Sequence, residues 1–159
     1  MLEGARAAGS ADLAVCARLL EEARAGAATL RGGPELLASG PWPTPPAPID
    51  EHWLATRWTG DDRVLLSGTI DEVVVGVGAG HVVNAGAERV GVVDSCYVEA
   101  GARGVGVGTA LAGSLLDWFV TRCCVAVDAP ALPGDRASKQ LFESQGLSAR
   151  LLVLRRRLP

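Results

Sequence analysis

The sequence predicts a single α/β domain spanning residues 1–159, in which helices cover the faces of one mixed β-sheet. Three observations predict it. An amphipathic helical pattern fills much of the first thirty or so residues, three strand-like segments with short connections follow, and a glycine-rich loop then opens a second helix. With 159 residues, of which 48% are hydrophobic and 21% charged, the chain can bury one well-packed core.

The first element is a short strand expected at residues 6–8, followed by a long helix. Ser10 is placed to cap this helix, and Asp12 lies in its first turn, where a negative charge is favourable. The helix is expected to extend to about Leu30, because apolar residues recur at helical spacing at Leu13, Cys16, Leu20, Ala23 and Ala27.

A proline-rich segment at residues 40–48 contains five prolines, which exclude a regular helix or a central strand. Two interpretations remain open: a PxxP ligand for a partner protein, or a stiff connector inside the domain. The connector is favoured because the segment is short and internal. Brief helices are expected on either side of it, over residues 35–39 and 49–57.

The middle of the chain predicts an antiparallel meander. The expected strands are residues 64–70, 73–83 and 88–98, joined by short turns. After the glycine-rich loop come a helix from Thr109, a strand at 124–129, a helix at 135–145 and a last strand at 148–155. The predicted order is therefore β-α-(α)-β-β-β-α-β-α-β.

Charge and cysteine spacing exclude several functional classes. The net charge is −3 and the only basic block is residues 155–157, which is not typical of a nucleic-acid-binding protein. The four cysteines form no CxxC spacing, so no metal site is predicted. No apolar run reaches the length of about 18 residues that suggests a membrane span, and no signal peptide is recognised. We therefore expect a cytoplasmic protein.

The stretch with the strongest chemical signal is the glycine-rich loop at residues 101–108, which follows a strand and opens an amphipathic helix. Glycines at alternate positions allow a ligand to approach the backbone. The N–H groups of such a loop can converge on an anion at the positive end of the helix. A diphosphate group is therefore the expected ligand.

Two other phosphate-binding motifs fit this loop poorly. A Walker A loop requires Gly-Lys-Ser/Thr, but the only lysine is Lys139. A dinucleotide fingerprint requires GxGxxG, and here Thr109 occupies the third glycine position after an antiparallel meander. A second glycine run at residues 76–80 continues into strand sequence and predicts glycines within a strand or a bulge.

The segment Arg103-x-x-Gly106-x-Gly108 resembles the [Gln/Arg]-x-x-Gly-x-[Gly/Ala] acyl-CoA loop of the GNAT superfamily. Residues 6–12, 92–98 and 135–147 are similar to the family's opening strand and helix, fourth strand and last helix. The resemblance covers nearly the whole chain and is weakest over residues 32–60. It implies a GNAT-like domain with a splayed central sheet, and acetyl-CoA as co-substrate with no metal.

The resemblance also implies cofactor-binding positions. The backbone N–H groups that hold the CoA pyrophosphate would belong to Arg103, Gly104, Val105, Gly106, Val107, Gly108 and Thr109. The backbone of Cys96 and Val98 would pair with the pantetheine arm. Phe142 stands where many relatives carry a tyrosine that protonates the departing thiolate, and a phenylalanine cannot donate that proton.

The chemistry that the resemblance implies is direct attack of an amine on the acetyl thioester. Asp94 occupies a position where many relatives carry an acidic residue, so it is the favoured general base. Strand alternation is expected to put it on one face with Cys96 and Val98. A purely structural role for Asp94 stays open, and Glu99 and His81 are weaker candidate bases.

The acceptor amine, on a small molecule or a protein, is not identified by the sequence. Trp42, Trp53 and Trp58 could line its pocket or cover the core. Because of Phe142, a second function stays open: an acyl-CoA-binding regulatory module with little catalysis. Relatives often form dimers, and a homodimer is compatible with the resemblance.

Overall fold

The computed structural model describes residues 1–159 and contains one five-stranded sheet in the order β1-β2-β3-β4-β5. The strands are β1 (Glu3–Ala7), β2 (Arg63–Ile70), β3 (Val73–Ala85), β4 (Glu88–Val98) and β5 (Ala126–Asp128). The helices are α1 (Leu13–Ala28), α2 (Gly33–Ser39), α3 (Glu51–Arg57), α4 (Val107–Thr121) and α5 (Arg136–Ser144). The first four strands are antiparallel and β5 runs parallel to β4, which confirms the predicted mixed sheet.

The meander is determined by its turns. Asp71 and Glu72 join β2 to β3 with positive φ angles of 46° and 68°, the left-handed conformation that tight hairpins require. Gly86, with φ 66°, turns β3 into β4. Because each connection is so short, consecutive strands must lie side by side.

The expected last strand at residues 148–155 is wrong. This segment has no regular secondary structure, and Leu151, Leu152, Val153 and Leu154 are each at least 74% exposed. A strand needs a neighbour for its backbone groups, and β5 at the edge of the sheet provides only three residues. The edge that β5 offers is therefore too short to pair with an eight-residue strand.

The start of the first helix also differs from the prediction. Residues Ser10–Asp12 form a 3-10 turn, and Ser10 makes no capping hydrogen bond. Instead, the carboxylate of Asp12 accepts the backbone N–H of Gly9 at 2.8 Å and pairs with Arg6 of β1. Asp12 thus ties the helix entry to the first strand.

Helices pack on both faces of the sheet. Cys16, Leu19 and Leu20 of α1 pack against Val77 and Ala79 of β3 on one face. On the other face, α4 contributes buried residues to the second core, namely Val107, Leu111, Leu115 and Phe119. The sheet is thus buried in the middle of a three-layer arrangement.

The strands facing α4 carry glycine where the helix crosses them. A Cβ atom at Gly91 would lie 2.4 Å from Cδ1 of Phe119, and one at Gly68 would lie 2.7 Å from Cγ1 of Val107. Gly76, Gly78 and Gly80 of β3 likewise lie against side chains of α4. The second glycine run is therefore part of a strand, as predicted, and allows α4 to pack close to the sheet.

The sheet opens between β4 and β5. Only Val90, Gly91 and Val92 of β4 pair with β5. From Val93 to Val98, β4 pairs with β3 alone. One edge of β4 is therefore free at its C-terminal end, as the expected splay requires.

The glycine contacts predict a strong effect of a single methyl group. Gly91→Ala should lower the free energy of unfolding by about 1–3 kcal/mol, because the added Cβ overlaps the fully buried Phe119 ring. Gly26→Ala in α1 is the matched control: nothing lies within 4 Å of the new atom, so stability should stay the same or rise by up to about 1 kcal/mol. Equal stability of the two variants, measured by urea unfolding, would contradict the close packing of α4.

Candidate active site

The glycine-rich loop forms the turn between the open end of β4 and the start of α4. A 3-10 turn at Ala100–Ala102 leads into Gly104 and Gly106, whose φ angles are 80° and 101°. These left-handed angles strain any residue with a Cβ, so glycine is required at both positions. The motif spacing thus corresponds to a defined backbone turn.

The loop presents unpaired donors at the helix start. The first bond of α4 runs from the N–H of Ala110 to the carbonyl of Gly106, at 2.9 Å. The N–H groups of Val107, Gly108 and Thr109 precede it and have no acceptor within the helix. Together with the positive end of the helix dipole, these donors suit a phosphate or diphosphate.

The side chain of Arg103 lies against the end of β4. Its Nε donates a hydrogen bond to the carbonyl of Val98 at 2.8 Å, and its guanidinium lies 5.4 Å from the centre of the Tyr97 ring. The resemblance implied that the backbone of Val98 pairs with the pantetheine. Its carbonyl already accepts a hydrogen bond from the Arg103 side chain. Arg103 is fixed at the rim of the loop, with its charge on the surface.

Cys96, Val98 and Gly108 come together at the open edge of β4. The Cys96 thiol lies 3.9 Å from the carbonyl of Gly108, and a Cβ at Gly108 would lie 3.8 Å from Cγ2 of Val98. Burial raises the pKa of the Cys96 thiol to about 12. A thiol this weakly acidic is a poor nucleophile, so Cys96 can offer its backbone but not a reactive sulfur.

Three expected cofactor residues contribute their side chains to the core. Val107 and Phe142 are buried, and Val105 packs against the same cluster. Only the backbone of Val107 and Val105 can therefore face a ligand. Phe142 of α5 packs with the side chains of α4 and has no proton to donate.

Asp94 contacts His81, the histidine named above as a weaker candidate base. Its Oδ2 lies 2.6 Å from Nδ1 of His81 on β3. The Asp94 side chain is only 4% exposed, whereas His81 is 25% exposed. Burial raises the pKa of the Asp94 carboxyl above its ordinary value, and the hydrogen bond with His81 acts in the opposite direction. The pair is a buried carboxylate that holds a partly accessible imidazole.

A β-bulge in β4 determines where Asp94 points. Gly80 pairs with Val93 and Ala79 pairs with Ser95, so Asp94 is the extra residue of the bulged strand. Asp94 therefore meets His81 on the α1 face, while Cys96 faces α4. The expectation that Asp94 shares a face with Cys96 and Val98 is wrong, because the bulge interrupts the alternation.

The register of the β3–β4 hairpin was the signal that could have revealed this pair. Counting back from the turn, Ala85 pairs with Glu88 and His81 pairs with Val92. Asp94 is then the diagonal neighbour of His81, within reach of a long side chain.

Glu99, the other acidic candidate, is engaged elsewhere. Its Oε2 forms an ion pair with Arg18 of α1 at 3.2 Å, and Arg18 also pairs with Glu22. The hydroxyl of Tyr97 donates to Glu22 at 3.2 Å. These contacts tie the start of the loop to α1 and engage the Glu99 carboxylate away from the His81–Asp94 pair.

The proline-rich segment is anchored by α1. Nη1 of Arg24 donates to the carbonyl of Pro43 at 2.8 Å, and Nη2 donates to that of Ala47 at 3.0 Å. Glu21 pairs with Arg24 and accepts the backbone N–H of Ile49. These internal contacts favour the connector interpretation over a PxxP ligand.

The three tryptophans form one cluster beside this segment. Trp42 stacks on Trp58 with ring centres 4.6 Å apart, and Trp53 lies 5.9 Å from Trp42. Trp58 is buried and donates its indole N–H to the carbonyl of Val64 at 2.8 Å. A surface cleft of about 850 Å³ lies between Trp53 and the proline-rich segment, so the cluster both covers the core and borders a cavity.

No group of three or more His, Cys, Asp or Glu side chains is arranged to hold a metal ion. None of the helices combines the length and apolar character needed to cross a membrane.

Comparison with solved structures finds the same fold at low identity. Ribosomal-protein-alanine N-acetyltransferase from Brucella melitensis biovar Abortus 2308 matches with a TM-score of 0.70 and 22% identity, over 99% of this chain and 100% of that one. An acetyltransferase of Trypanosoma brucei matches with a TM-score of 0.69 and 18% identity, over 99% and 100%. AAC(6′)-Iy, in complex with the bisubstrate analogue CoA-S-monomethyl-acetylneamine, matches with a TM-score of 0.64 and 19% identity, over 99% and 100%.

The family assignment comes from a sequence model. No curated protein matches the chain. The model of the Acetyltransferase (GNAT) family matches residues 27–147, well over half of the chain, including the meander, the loop and α5. The chain therefore belongs to the GNAT family of acetyltransferases.

Proposed function

We propose that the protein is an N-acetyltransferase that moves the acetyl group of acetyl-CoA to an amine by direct attack on the thioester. The observation that carries this proposal is the glycine loop at the start of α4, whose free N–H groups lie beside the open edge of β4. The N–H groups of residues 103–109 would bind the pyrophosphate. Cys96 would offer its backbone to the pantetheine arm.

The proton acceptor in this proposal is the His81–Asp94 pair. A protonated amine cannot attack a thioester, so a base must first remove one proton. Asp94 accepts the N–H of Nδ1, which leaves Nε2 of His81 as the basic nitrogen that faces the amine. Asp94 then stabilises the imidazolium that forms, as a buried carboxylate does in other His–Asp pairs.

The leaving group does not depend on an acid at position 142. As the amine nitrogen bonds to the acetyl carbon, the carbon–sulfur bond breaks and the sulfur departs with the electron pair, and the second proton on the nitrogen is then lost to water or to the departing thiolate. A thiol of this kind has a pKa near that of cysteine, about 8.5, so its thiolate is a tolerable leaving group. Water or the imidazolium of His81 can return the proton, which explains how buried Phe142 is compatible with turnover.

An acyl-CoA-binding module with little catalysis is the second candidate. The observation that favours it is Phe142, which is buried in the core and supplies no proton. The two candidates differ in one measurement: a binding module binds acetyl-CoA but releases free CoA no faster when amines are added. Amine-dependent release that is lost in Asp94→Asn would exclude the module.

The loop geometry predicts the effect of Gly106→Trp. Calorimetric titration should show acetyl-CoA binding weakened by at least about tenfold, because φ of 101° strains any side chain and the new Cβ would lie 3.2 Å from Cγ of Glu3, which forces the loop to shift. Gly101→Ala is the matched control in the same loop, with nothing within 4 Å and no positive φ. It should bind like the wild type. Wild-type affinity in a folded Gly106→Trp variant would place the cofactor elsewhere.

The His81–Asp94 pair predicts a specific kinetic defect. Asp94→Asn should lower kcat by roughly 10²–10⁴-fold while acetyl-CoA affinity stays unchanged, because the pair removes a proton but does not hold the cofactor. In the wild type, kcat/KM should rise with pH as the Asp94 carboxyl, whose pKa burial raises, loses its proton, and this contribution to the rise should be absent from the variant. Glu99→Gln is the control and should keep near-normal kcat. An unchanged kcat in Asp94→Asn would assign the carboxylate a purely structural role.

A further inference from the structure

The cleft beside the tryptophan cluster has an unusual charge balance. Its lining residues include Trp53, Thr56 and prolines of the proline-rich segment, together with Arg57 and Arg63. No acidic side chain lines it. A cavity with this lining presents an indole and two positive charges.

These two arginines differ from most arginines on the α1 side of the sheet. Arg6, Arg18 and Arg24 each form an ion pair with a carboxylate of the chain. Neither Arg57 nor Arg63 forms one, and both are exposed. Their charges are therefore available to a ligand.

The nearby carboxylates are already engaged. Asp50 lines a smaller adjoining recess, and its Oδ1 accepts the backbone N–H of Trp53 at 2.7 Å, where it caps α3. Asp62 pairs with Arg89 on the far strand. Asp94 is buried against His81. Asp61 is exposed and does not line the cleft.

The walls of the cleft are preformed. Arg63 lies over the ring of Trp58 at 5.2 Å and donates to the backbone carbonyl of Arg57. The opposite wall is the proline-rich segment, whose carbonyls at Pro43 and Ala47 are held by Arg24. A ligand would therefore enter a site with little ordering cost.

Arg63, which lines the cleft, links it to the proposed base through the β2–β3 register. Arg63 is the direct cross-strand partner of His81, so the two side chains lie on the same face. Directly opposed residues in such a ladder are roughly 4.5–5.5 Å apart at Cα. Because both side chains extend from the same face of the sheet, one small molecule could contact Arg63 and His81 together.

We propose that the acceptor is a primary amine that carries a carboxylate close to its amino group, as an amino acid or a short peptide does. Arg57 and Arg63 bind the carboxylate, Trp53 contacts the body of the molecule, and the amine lies at His81. This inference rests on the proposed acetyl transfer and adds the chemical class of its acceptor. A strongly cationic acceptor would meet the two arginines without a compensating carboxylate.

The test compares L-amino acids with the corresponding amino acid amides, using acetyl-CoA and the full chain. The amide has the less basic amine and thus more free base near neutral pH, so simple reactivity favours the amide. We expect the opposite order, with kcat/KM higher for the amino acids by at least about tenfold, because a charged hydrogen bond is lost in the amide.

Arginine variants assign this preference to the cleft. Arg57→Gln and Arg63→Gln should each raise KM for the amino acid by about tenfold or more, with little change in kcat or in the kinetics of the amide. Arg57 is the cleaner variant, since Arg63 also packs on Trp58. Arg156→Gln, in the exposed C-terminal segment, is the control and should behave like the wild type.

Each outcome decides the inference. Amides that react as well as amino acids, or variants that keep the wild-type preference, would overturn it while acetyl transfer to amines stands. If no amine is acetylated although acetyl-CoA binds, the proposed function fails instead. In that case, calorimetry with an N-acetyl amino acid and its amide tests the cleft without turnover, and equal or absent binding of both would overturn the carboxylate site.

Discussion

The structure depends on the close approach of one helix to the sheet. Five glycines on β2, β3 and β4 make room for the side chains of α4, so the helix packs close to the strands. This contact fixes where α4 begins, at the end of β4 and beside the edge that β5 leaves free. The N–H groups at the start of α4 thus owe their position to packing that runs along the helix from Val107 to Phe119.

The bulge at Asp94 makes neighbouring side chains of β4 face different sides of the sheet. Val93 before the bulge and Cys96 after it face α4. Beyond Val92, the backbone of β4 is unpaired on the edge that faces β5. At the bulge, Asp94 turns to His81 on the opposite face, beside Arg63 and the cleft. A single strand therefore connects the proposed cofactor site with the proposed acceptor site, and an irregularity of one residue makes that connection.

Local signals explain what could be predicted from the sequence. The loop was predictable because Gly104, Gly106 and the helix that follows are adjacent in the chain, and the hairpin turns are equally local. The His81–Asp94 pair was not predicted because it depends on the register between β3 and β4, which must be counted back from the hairpin turn. The bulge that puts Asp94 and Cys96 on opposite faces has no signature in the residue pattern. The last strand failed for a similar reason: its apolar residues satisfy strand propensity, but pairing depends on the length of β5, a distant element. The hydrogen bond from Arg24 to Pro43 joins residues 19 positions apart, and no sequence motif predicts such a contact.

The tryptophan cluster gives the chain an unusual optical property. Three of its four tryptophans, Trp42, Trp53 and Trp58, lie within 6.2 Å of one another, centre to centre, and the fourth, Trp118, lies on α4. Three of the four indoles that can fluoresce therefore belong to this cluster, and one of them, Trp53, lines the cleft. Stacked indoles at 4.6 Å also couple their electronic transitions, which produces a circular dichroism signal that follows their mutual orientation. The emission and dichroism of the unlabelled protein thus report on the walls of the cleft, without any added probe.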